Sequence, residues 1–257
     1  MQNKELIDAG RLKGIGFDLF NTLITAHPDA VSEAVMRLIN SLQQQGFSFQ
    51  ENEFKKAYRE TAIAIIQETR KDGKETHNRF WISGALQILG YDLGPEDPRI
   101  ATALEAYFSA FMDYCHLIPG TIEMLKRLTN AYSLGLLSNF THSPAARQLI
   151  DALSLRPFFD IILISGELGY RKPHPFVFER LIEEFGMETN EILYVGDDPE
   201  PDVNGALRAG IQAVWFTYAK DHHIPTVPGI LASSPEKPQC EVLRVSTWEE
   251  FLALLKK

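Results

Sequence analysis

The sequence predicts an α/β fold: a parallel sheet flanked by helices, with a separate lobe of four helices inserted after the first strand. Three observations predict it. From Ser133 onward, short apolar runs alternate with segments of helical period, the pattern of right-handed β-α-β units. Between Asp29 and Tyr114 the period is helical and strand signals stop. The polar residues able to do chemistry stand where apolar runs end, which is where a parallel sheet builds its site.

The elements follow in order. Residues 3–10 read as a short helix, and Leu12 to Phe17 as a buried strand. A helix begins at Asp29, with Val31, Val35, Leu38, Ile39 and Leu42 at helical spacing and Gly46 as its stop. A second fits Glu51 to Lys71, with Phe54, Tyr58, Ala62, Ile65 and Ile66 on one side and Asp72-Gly73 closing it. A third fits Asn78 to Leu89, closed by Gly90. Gly94-Pro95 and Asp97-Pro98 mark a loop before a fourth, Arg99 to Tyr114.

After Pro119-Gly120 comes a helix carrying Ile122, Leu125 and Leu128, then a strand, Ser133 to Leu137. A helix from Pro144 to Leu153, a strand Ile161 to Ile164 and a helix Pro175 to Phe185 follow. Next are a strand Ile192 to Val195, a helix Val203 to Ala209 and a strand Gln212 to Phe216. A strand near Val242 to Val245 and a helix Trp248 to Leu255 end the chain. Asp221 to Gln239 carries four prolines and reads as a surface loop. The expected division is a core of residues 1–24 and 117–257 around a helical cap, 25–116. A cap joined by two hinge strands could close over the site and exclude water.

Composition narrows the function. The 257 residues can bury one large core or two modest ones. A hydrophobic content of 45% and a charged content of 23% are those of a soluble globular protein. The net charge of −9 argues against nucleic acid as the main partner, since a phosphate backbone wants a basic face. It leaves room for a small anionic substrate, because a metal or a few local cations decide that. Cys115 and Cys240 are too few for a disulfide framework, and reduced thiols in a cytoplasmic protein are expected. The opening residues lack a signal-peptide apolar stretch. No apolar run nears the roughly 20 residues of a membrane helix. A monomer or homodimer is expected.

Four clusters carry the chemistry. Asp18 ends the first strand; such an aspartate would be a nucleophile, a metal ligand or a helix cap. Ser138-Asn139 follow Leu136-Leu137. Arg171-Lys172-Pro173 precede the helix at Pro175. Gly196-Asp197-Asp198 follow Tyr194-Val195, with Asp202 just beyond. The topology brings all four to one sheet edge. There Asp18, Asp197 and Asp202 would repel one another, and Lys172 alone cannot neutralise three carboxylates. A hard divalent cation with oxygen ligands could, and Mg²⁺ is the common choice where a phosphate also binds. Ser138 with the backbone N–H groups after it, and Lys172, would hold phosphoryl oxygens. Attack by a carboxylate is an established route for displacing phosphate or halide. The plainer roles are a strand-end cap for Asp18, helix caps for Ser138-Asn139 and for Asp202 ahead of Val203, and solvated charges for Lys172 and Asp198.

Taken together, Phe17-Asp18-Leu19-Phe20-Asn21-Thr22-Leu23, Leu136-Leu137-Ser138-Asn139, Arg171-Lys172-Pro173-His174-Pro175 and Gly196-Asp197-Asp198-Pro199-Glu200-Pro201-Asp202 resemble the four motifs of the haloacid dehalogenase superfamily. The resemblance spans the chain. The helical insert sits where that family carries its α-helical cap of the first type, and Ile118-Pro119-Gly120-Thr121 resembles the return from cap to core. It implies a Rossmann-like core and a hydrolase. By position it implies Asp18 as the nucleophile and Thr22 as support for the first loop. Ser138 would bind the transferring group with Asn139 beside it, and Lys172 would balance charge. Asp18, Asp197 and the carbonyl of Phe20 would ligate Mg²⁺, with Asp202 in support.

Phe20 departs from the phosphatase pattern. In the family's phosphatases this position is an aspartate that protonates the leaving group and later activates water. Its dehalogenases carry an aromatic residue there and work without metal, while its phosphonatases carry a small residue and use a cap lysine. The acidic fourth motif favours a Mg²⁺-dependent phosphatase for a small phosphate ester; Phe20 favours a metal-independent 2-haloacid dehalogenase. A catalytically weak protein that binds a phosphorylated ligand is a third reading. His27, His77 and His116 are candidates to replace the missing acid, Arg79 and Trp81 to face substrate, and Tyr107, Phe108 and Phe111 to pack.

Overall fold

A computed structural model describes residues 7, 9–224 and 237–256. Strand β1 (Gly14–Phe17) leads through a tight loop to β2 (Ile24–Ala26). Four helices follow: α1 (Ala30–Gln44), α2 (Glu51–Arg70), α3 (Asn78–Ile88) and α4 (Pro98–Tyr114). β3 (Cys115–Leu117) returns the chain to α5 (Thr121–Leu128), β4 (Ser133–Ser138), α6 (Ser143–Ala152), β5 (Ile161–Ile164), α7 (Ser165–Leu168) and α8 (Pro175–Phe185). Then come β6 (Ile192–Gly196), a π-helical turn (Pro199–Asn204), α9 (Gly205–Arg208), β7 (Gln212–Phe216), α10 (Tyr218–Asp221), β8 (Leu243–Val245) and α11 (Trp248–Leu254).

Among the described residues, six strands form one sheet in the order β5-β4-β1-β6-β7-β8. Every pairing in it is parallel. The period of two sorts each strand between two faces. Ile15, Phe17, Leu134, Leu136, Leu193, Val195, Val214 and Phe216 pack on one side with residues of α5, α6 and α11. Leu137, Ile192, Tyr194, Ala213 and Trp215 pack on the other with residues of α8 and α9. Each large apolar side chain so buried contributes about 1.5–3 kcal/mol. Phe17 sits edge-on to Phe159, Trp248 and Phe251, which pins the strand that carries Asp18. The chain order reverses at β1, between β4 and β6, and such a switch point opens a crevice at the strands' C-terminal ends.

Several sequence expectations need correction. β2 and β3 pair antiparallel, Ile24 with Leu117 and Ala26 with Cys115, and give bounds to the two hinge strands that the sequence only suggested. Each has three residues, too few to print a period. α4 starts at Pro98 rather than Arg99: the Asp97 carboxylate accepts from Arg99 N–H at 2.9 Å, and proline suits a first helical position. The helix expected over Val203–Ala209 is instead the wide turn Pro199–Asn204 followed by the short α9. Tyr218–Asp221 is helical, at the edge of the proline-rich stretch. Residues 225–236 of that stretch, and most of the expected helix over 3–10, lie outside the described residues. Cys115 is buried and Cys240 exposed, both as free thiols. No described helix is long and apolar enough to cross a membrane.

In the inserted segment α1 packs along α4 and α2 along α3. β2 and β3 link it to the sheet. Ile118 N–H and Thr121 Oγ1 both donate to the Leu23 carbonyl, at 3.0 and 3.1 Å, and Trp248 Nε1 donates to Thr121 Oγ1 at 2.9 Å.

Candidate active site

Register sets the stage. Phe17 pairs with Leu136 on one side and Val195 on the other, so Asp18, Ser138 and Asp197 leave the sheet at one edge. The Asp18 N–H still donates to the Val195 carbonyl at 2.9 Å, which ties the carboxylate to the strand end. Beyond it, Leu23 and Ile24 N–H groups close back on the Leu19 carbonyl at 2.9 and 3.0 Å. Asn21 makes that turn with φ of 58°, a left-handed conformation asparagine tolerates better than most residues.

Lys172 is the hub. Its side chain is 1% exposed. Nζ lies 2.6 Å from Asp18 Oδ1, 2.8 Å from Asp202 Oδ1, 2.8 Å from the Leu137 carbonyl and 2.8 Å from the Tyr194 hydroxyl. An ammonium has three protons to offer, so four acceptors engage all of them. The Tyr194 hydroxyl donates in turn to the Leu137 carbonyl at 2.9 Å. Sequence reading took Tyr194 as one more apolar strand residue; its only signal was a hydroxyl on a strand face that is otherwise aliphatic.

Thr22 was expected to support the first loop and Asn139 to stand beside Ser138. The Asn139 side chain brackets the Lys172 backbone, Nδ2 donating to its carbonyl at 3.0 Å and Oδ1 accepting from its N–H at 2.7 Å. Both polar atoms are thereby committed to placing the lysine. Thr22 is fully buried and its Oγ1 donates to Asp18 Oδ2 at 3.3 Å, so it orients the carboxylate. Ser138 is buried at the last position of β4, at the crevice.

The acidic edge is built by the wide turn. Asp198 caps it, its carboxylate accepting from Glu200 N–H at 3.3 Å, and the plainer role of helix cap does not fall to Asp202. Asp202 lies inside the turn, where Oδ2 accepts from Asp198 N–H at 2.9 Å while Oδ1 faces Lys172. A Cβ at position 196 would lie 2.4 Å from the Asp202 Cβ, so only glycine admits this approach. One carboxylate oxygen from each of Asp18, Asp197 and Asp202 lies within 4.8 Å of the others.

Charge follows geometry. Burial pushes the Asp18 carboxyl up to about 7, with Lys172 pulling it down and Asp202 pushing it further up. Burial, then Asp202, Asp18 and Asp198, hold Asp197 well above the usual carboxylate range. For Lys172, burial favours the neutral amine, but Asp18 and Asp202 outweigh it and the net displacement is upward. Three carboxylates share one ammonium, so the cluster is short of positive charge, and the donors are hard oxygens. That set suits a hard divalent cation.

The profile of the haloacid dehalogenase-like hydrolases matches residues 12–210. The chain belongs to this family. A glyceraldehyde 3-phosphate phosphatase of Pyrococcus abyssi is 28% identical over 211 residues, 81% of this chain and 83% of its own. A glyceraldehyde 3-phosphate phosphatase of Methanopyrus kandleri is 30% identical over 210 residues, 81% of this chain and 85% of its own. Among solved structures, a 2-haloacid dehalogenase from Pseudomonas syringae pv. Tomato shares the fold. Its TM-score is 0.67 at 22% identity, over 95% of this chain and 98% of that one. The protein is thus a hydrolase of the haloacid dehalogenase-like family with an α/β Rossmann-like core.

In this haloacid dehalogenase-like chain Phe20 is buried under aromatic rings. It stacks on Phe140 at 5.6 Å and meets Phe111 edge-on at 6.3 Å. Phe108 continues the cluster to Phe140 at 5.3 Å and to His142 at 4.9 Å. The expected packing role of Phe108 and Phe111 follows from these contacts. Among the candidate substitutes for the missing acid, His27 and His77 have hydrogen-bond partners of their own. His27 Nδ1 accepts from Asp29 N–H at 3.3 Å, and His116 is exposed on β3. Trp81 donates to Thr76 Oγ1 at 3.0 Å, and Arg79 pairs with Glu96 at 3.0 Å.

His77 caps α3, Nδ1 accepting from Arg79 N–H at 3.1 Å, which leaves the proton on Nε2 to bond His142 Nδ1 at 3.1 Å. Burial, His142 and Arg79 lower His77 from 6.5 to about 4; burial and Arg79 lower His142 as well. Below pH 6.5 the unfolded chain takes up a proton that folded His77 refuses until about pH 4. The His77 contribution to stability is therefore full above pH 6.5 and lost as pH falls toward 4. Denaturant melts across this window should show a shallower loss for His77→Gln than for wild type.

Proposed function

We propose that the chain is a Mg²⁺-dependent phosphatase acting on a small phosphate ester through an aspartyl intermediate at Asp18. The observation that carries this reading is the crowding of Asp18, Asp197 and Asp202 around a single buried lysine. Such a site is short of positive charge until a cation and an electrophile arrive. The curated relatives above are phosphatases of a small phosphorylated compound, which supports the same substrate class. The division into a core of residues 1–24 and 117–257 and a cap of 25–116 belongs to this reading, as does a cytoplasmic location.

An Asp18 carboxylate oxygen attacks phosphorus, and the bond from phosphorus to the leaving oxygen breaks, that oxygen taking the electron pair. Water then attacks the phosphorus of the aspartyl phosphate, restoring the carboxylate and releasing inorganic phosphate. Lys172 holds Asp18 by one oxygen and Thr22 by the other, so the nucleophile is oriented before substrate arrives. Ser138 and the backbone N–H groups after it receive the phosphoryl oxygens. Asp18, Asp197 and the Phe20 carbonyl would hold Mg²⁺ with Asp202 in support, and the ion would supply positive charge to the phosphoryl oxygens. Assay of a broad phosphate panel with and without Mg²⁺ tests the reading. Silence from both wild type and Phe20→Asp would refute it.

Phe20 shapes the substrate range, because a phenyl ring cannot protonate a leaving alkoxide. Turnover should climb as the leaving group becomes more acidic, with acyl and aryl phosphates ahead of alkyl phosphates. Phe20→Asp should raise alkyl phosphate turnover toward the ~10²–10⁴-fold that a positioned acid contributes, and aryl phosphate turnover much less. Steady-state kinetics on a series graded by leaving-group pKa checks this; a flat series in wild type would show another proton donor. A metal-independent 2-haloacid dehalogenase is the second reading, favoured by the aromatic ring at position 20. Halide release from 2-chloropropionate that persists in EDTA would select it.

A further inference from the structure

The loop between α2 and α3 reaches across to the core and binds beside the lysine. Glu75 N–H donates to the Gly169 carbonyl at 2.9 Å, and Arg171 N–H to the Gly73 carbonyl at 3.0 Å. Lys74 and Tyr170 form an antiparallel bridge between them. Glu75 is the polar anchor of this junction, its side chain 3% exposed. Oε2 accepts from Ser165 Oγ at 2.5 Å. Oε1 accepts from Thr76 N–H at 2.9 Å and faces the Arg171 guanidinium at 3.4 Å.

These contacts lead to both catalytic loops. Ser165 Oγ accepts from Phe140 N–H at 2.8 Å, which fixes the backbone two residues past Ser138. Arg171 directly precedes Lys172, whose backbone the Asn139 side chain clamps on both sides. A buried carboxylate is costly unless its partners repay the lost hydration. Here Ser165 bonds the backbone just past Ser138 and Arg171 adjoins Lys172, both far from Glu75 in sequence.

We propose that Glu75 is a positioning residue. Seating its carboxylate on Ser165 and Arg171 sets the Ser138–Phe140 and Arg171–Lys172 backbones, so the crevice is fully formed only when residues 73–75 are docked. The kinetic part of this proposal rests on the phosphatase reading; the structural part does not.

The test uses the full chain with Glu75→Ala, Glu75→Gln and Ser165→Ala. For Glu75→Ala, kcat on an aryl phosphate should fall on the order of 10- to 100-fold, the scale of losing charge-assisted hydrogen bonds, and by a larger factor than KM rises. Glu75→Gln, which keeps an oxygen for Ser165, should recover part of that loss. Ser165→Ala should resemble Glu75→Ala, and the double variant should lose less than the two combined, because they act in one chain of contacts. Amide hydrogen exchange without substrate supplies a readout independent of activity. Exchange at Phe140 and at 170–172 should quicken in Glu75→Ala while β1 and β6 stay protected. Unchanged exchange at these amides would overturn the proposal. Quickened exchange in a chain that turns over no phosphate would uphold the positioning role and refute the phosphatase reading. If Glu75→Ala does not fold, Glu75→Gln with Ser165→Ala reads the same amides.

Discussion

Lys172→Met should lower the stability of the metal-free protein by about 3–5 kcal/mol, the scale of breaking a buried ion pair from one side. The ammonium separates Asp18 from Asp202, at 2.6 and 2.8 Å, and a thioether leaves both carboxylates facing each other without a counter-charge. Methionine keeps most of the side-chain volume, so the loss reports charge rather than a cavity. Turnover should vanish with it, since Asp18 loses a hydrogen bond that orients it. Mg²⁺ should restore part of the lost stability, because a cation in the carboxylate cluster supplies charge that the variant lacks. Urea melts of wild type and variant, with Mg²⁺ and with EDTA, measure all of this. A variant as stable as wild type in EDTA would mean that the carboxylates take up protons instead and that Lys172 is not their main counter-charge.

Asp18→Asn should abolish turnover, with a loss on the order of 10⁶-fold, the scale of removing a nucleophile. Its effect on stability should be opposite in sense to that of Lys172→Met. Asp18 is one of three crowded carboxylates, and burial pushes its own carboxyl up to about 7. A neutral amide of the same shape relieves that repulsion, so the melting midpoint should hold or rise. The two substitutions touch the same 2.6 Å contact and should separate the roles of its partners: on the phosphatase reading the lysine serves fold and chemistry, the aspartate chemistry alone. Such a trade between stability and activity is expected where like charges are gathered for function.

What was legible in the sequence was legible for physical reasons. Asp18, Ser138, Lys172, Asp197 and Asp202 stand at ends of apolar runs or beside a helix start, and the parallel topology brings such ends to one edge. The cap helices were readable because 11 to 20 residues of helical period leave a long stripe. β2 and β3 have no such length, and their pairing spans the whole cap. The turn at Pro199–Asn204 was misread because two prolines and three acidic or amide residues suit several local conformations, and Gly196 chooses among them by admitting Asp202. Tyr194 looked like core and is fully buried; only the fold reveals that its hydroxyl meets Lys172. Glu75 carried no local signal, since its partners are Ser165 and Arg171, 90 and 96 positions further along the chain. Thr22 and Asn139 were legible as members of the site, but that Thr22 bonds Asp18 and Asn139 clamps the Lys172 backbone shows only in the fold, because sequence cannot tell a side chain that touches substrate from one that holds its neighbour.

If Asp18 is the nucleophile, it becomes covalently phosphorylated during turnover. With phenylalanine at position 20, the step that hydrolyses the intermediate lacks a positioned base, so the phosphorylated enzyme should accumulate. Acid-quenched mass spectrometry of the protein, mixed with an acyl or aryl phosphate and Mg²⁺, tests this most directly. The mass of one phosphoryl group is expected on the peptide that contains Asp18, present in wild type and absent from Asp18→Asn and from samples in EDTA. Phosphate release without any adduct on that peptide, or with an adduct on another residue, would contradict it.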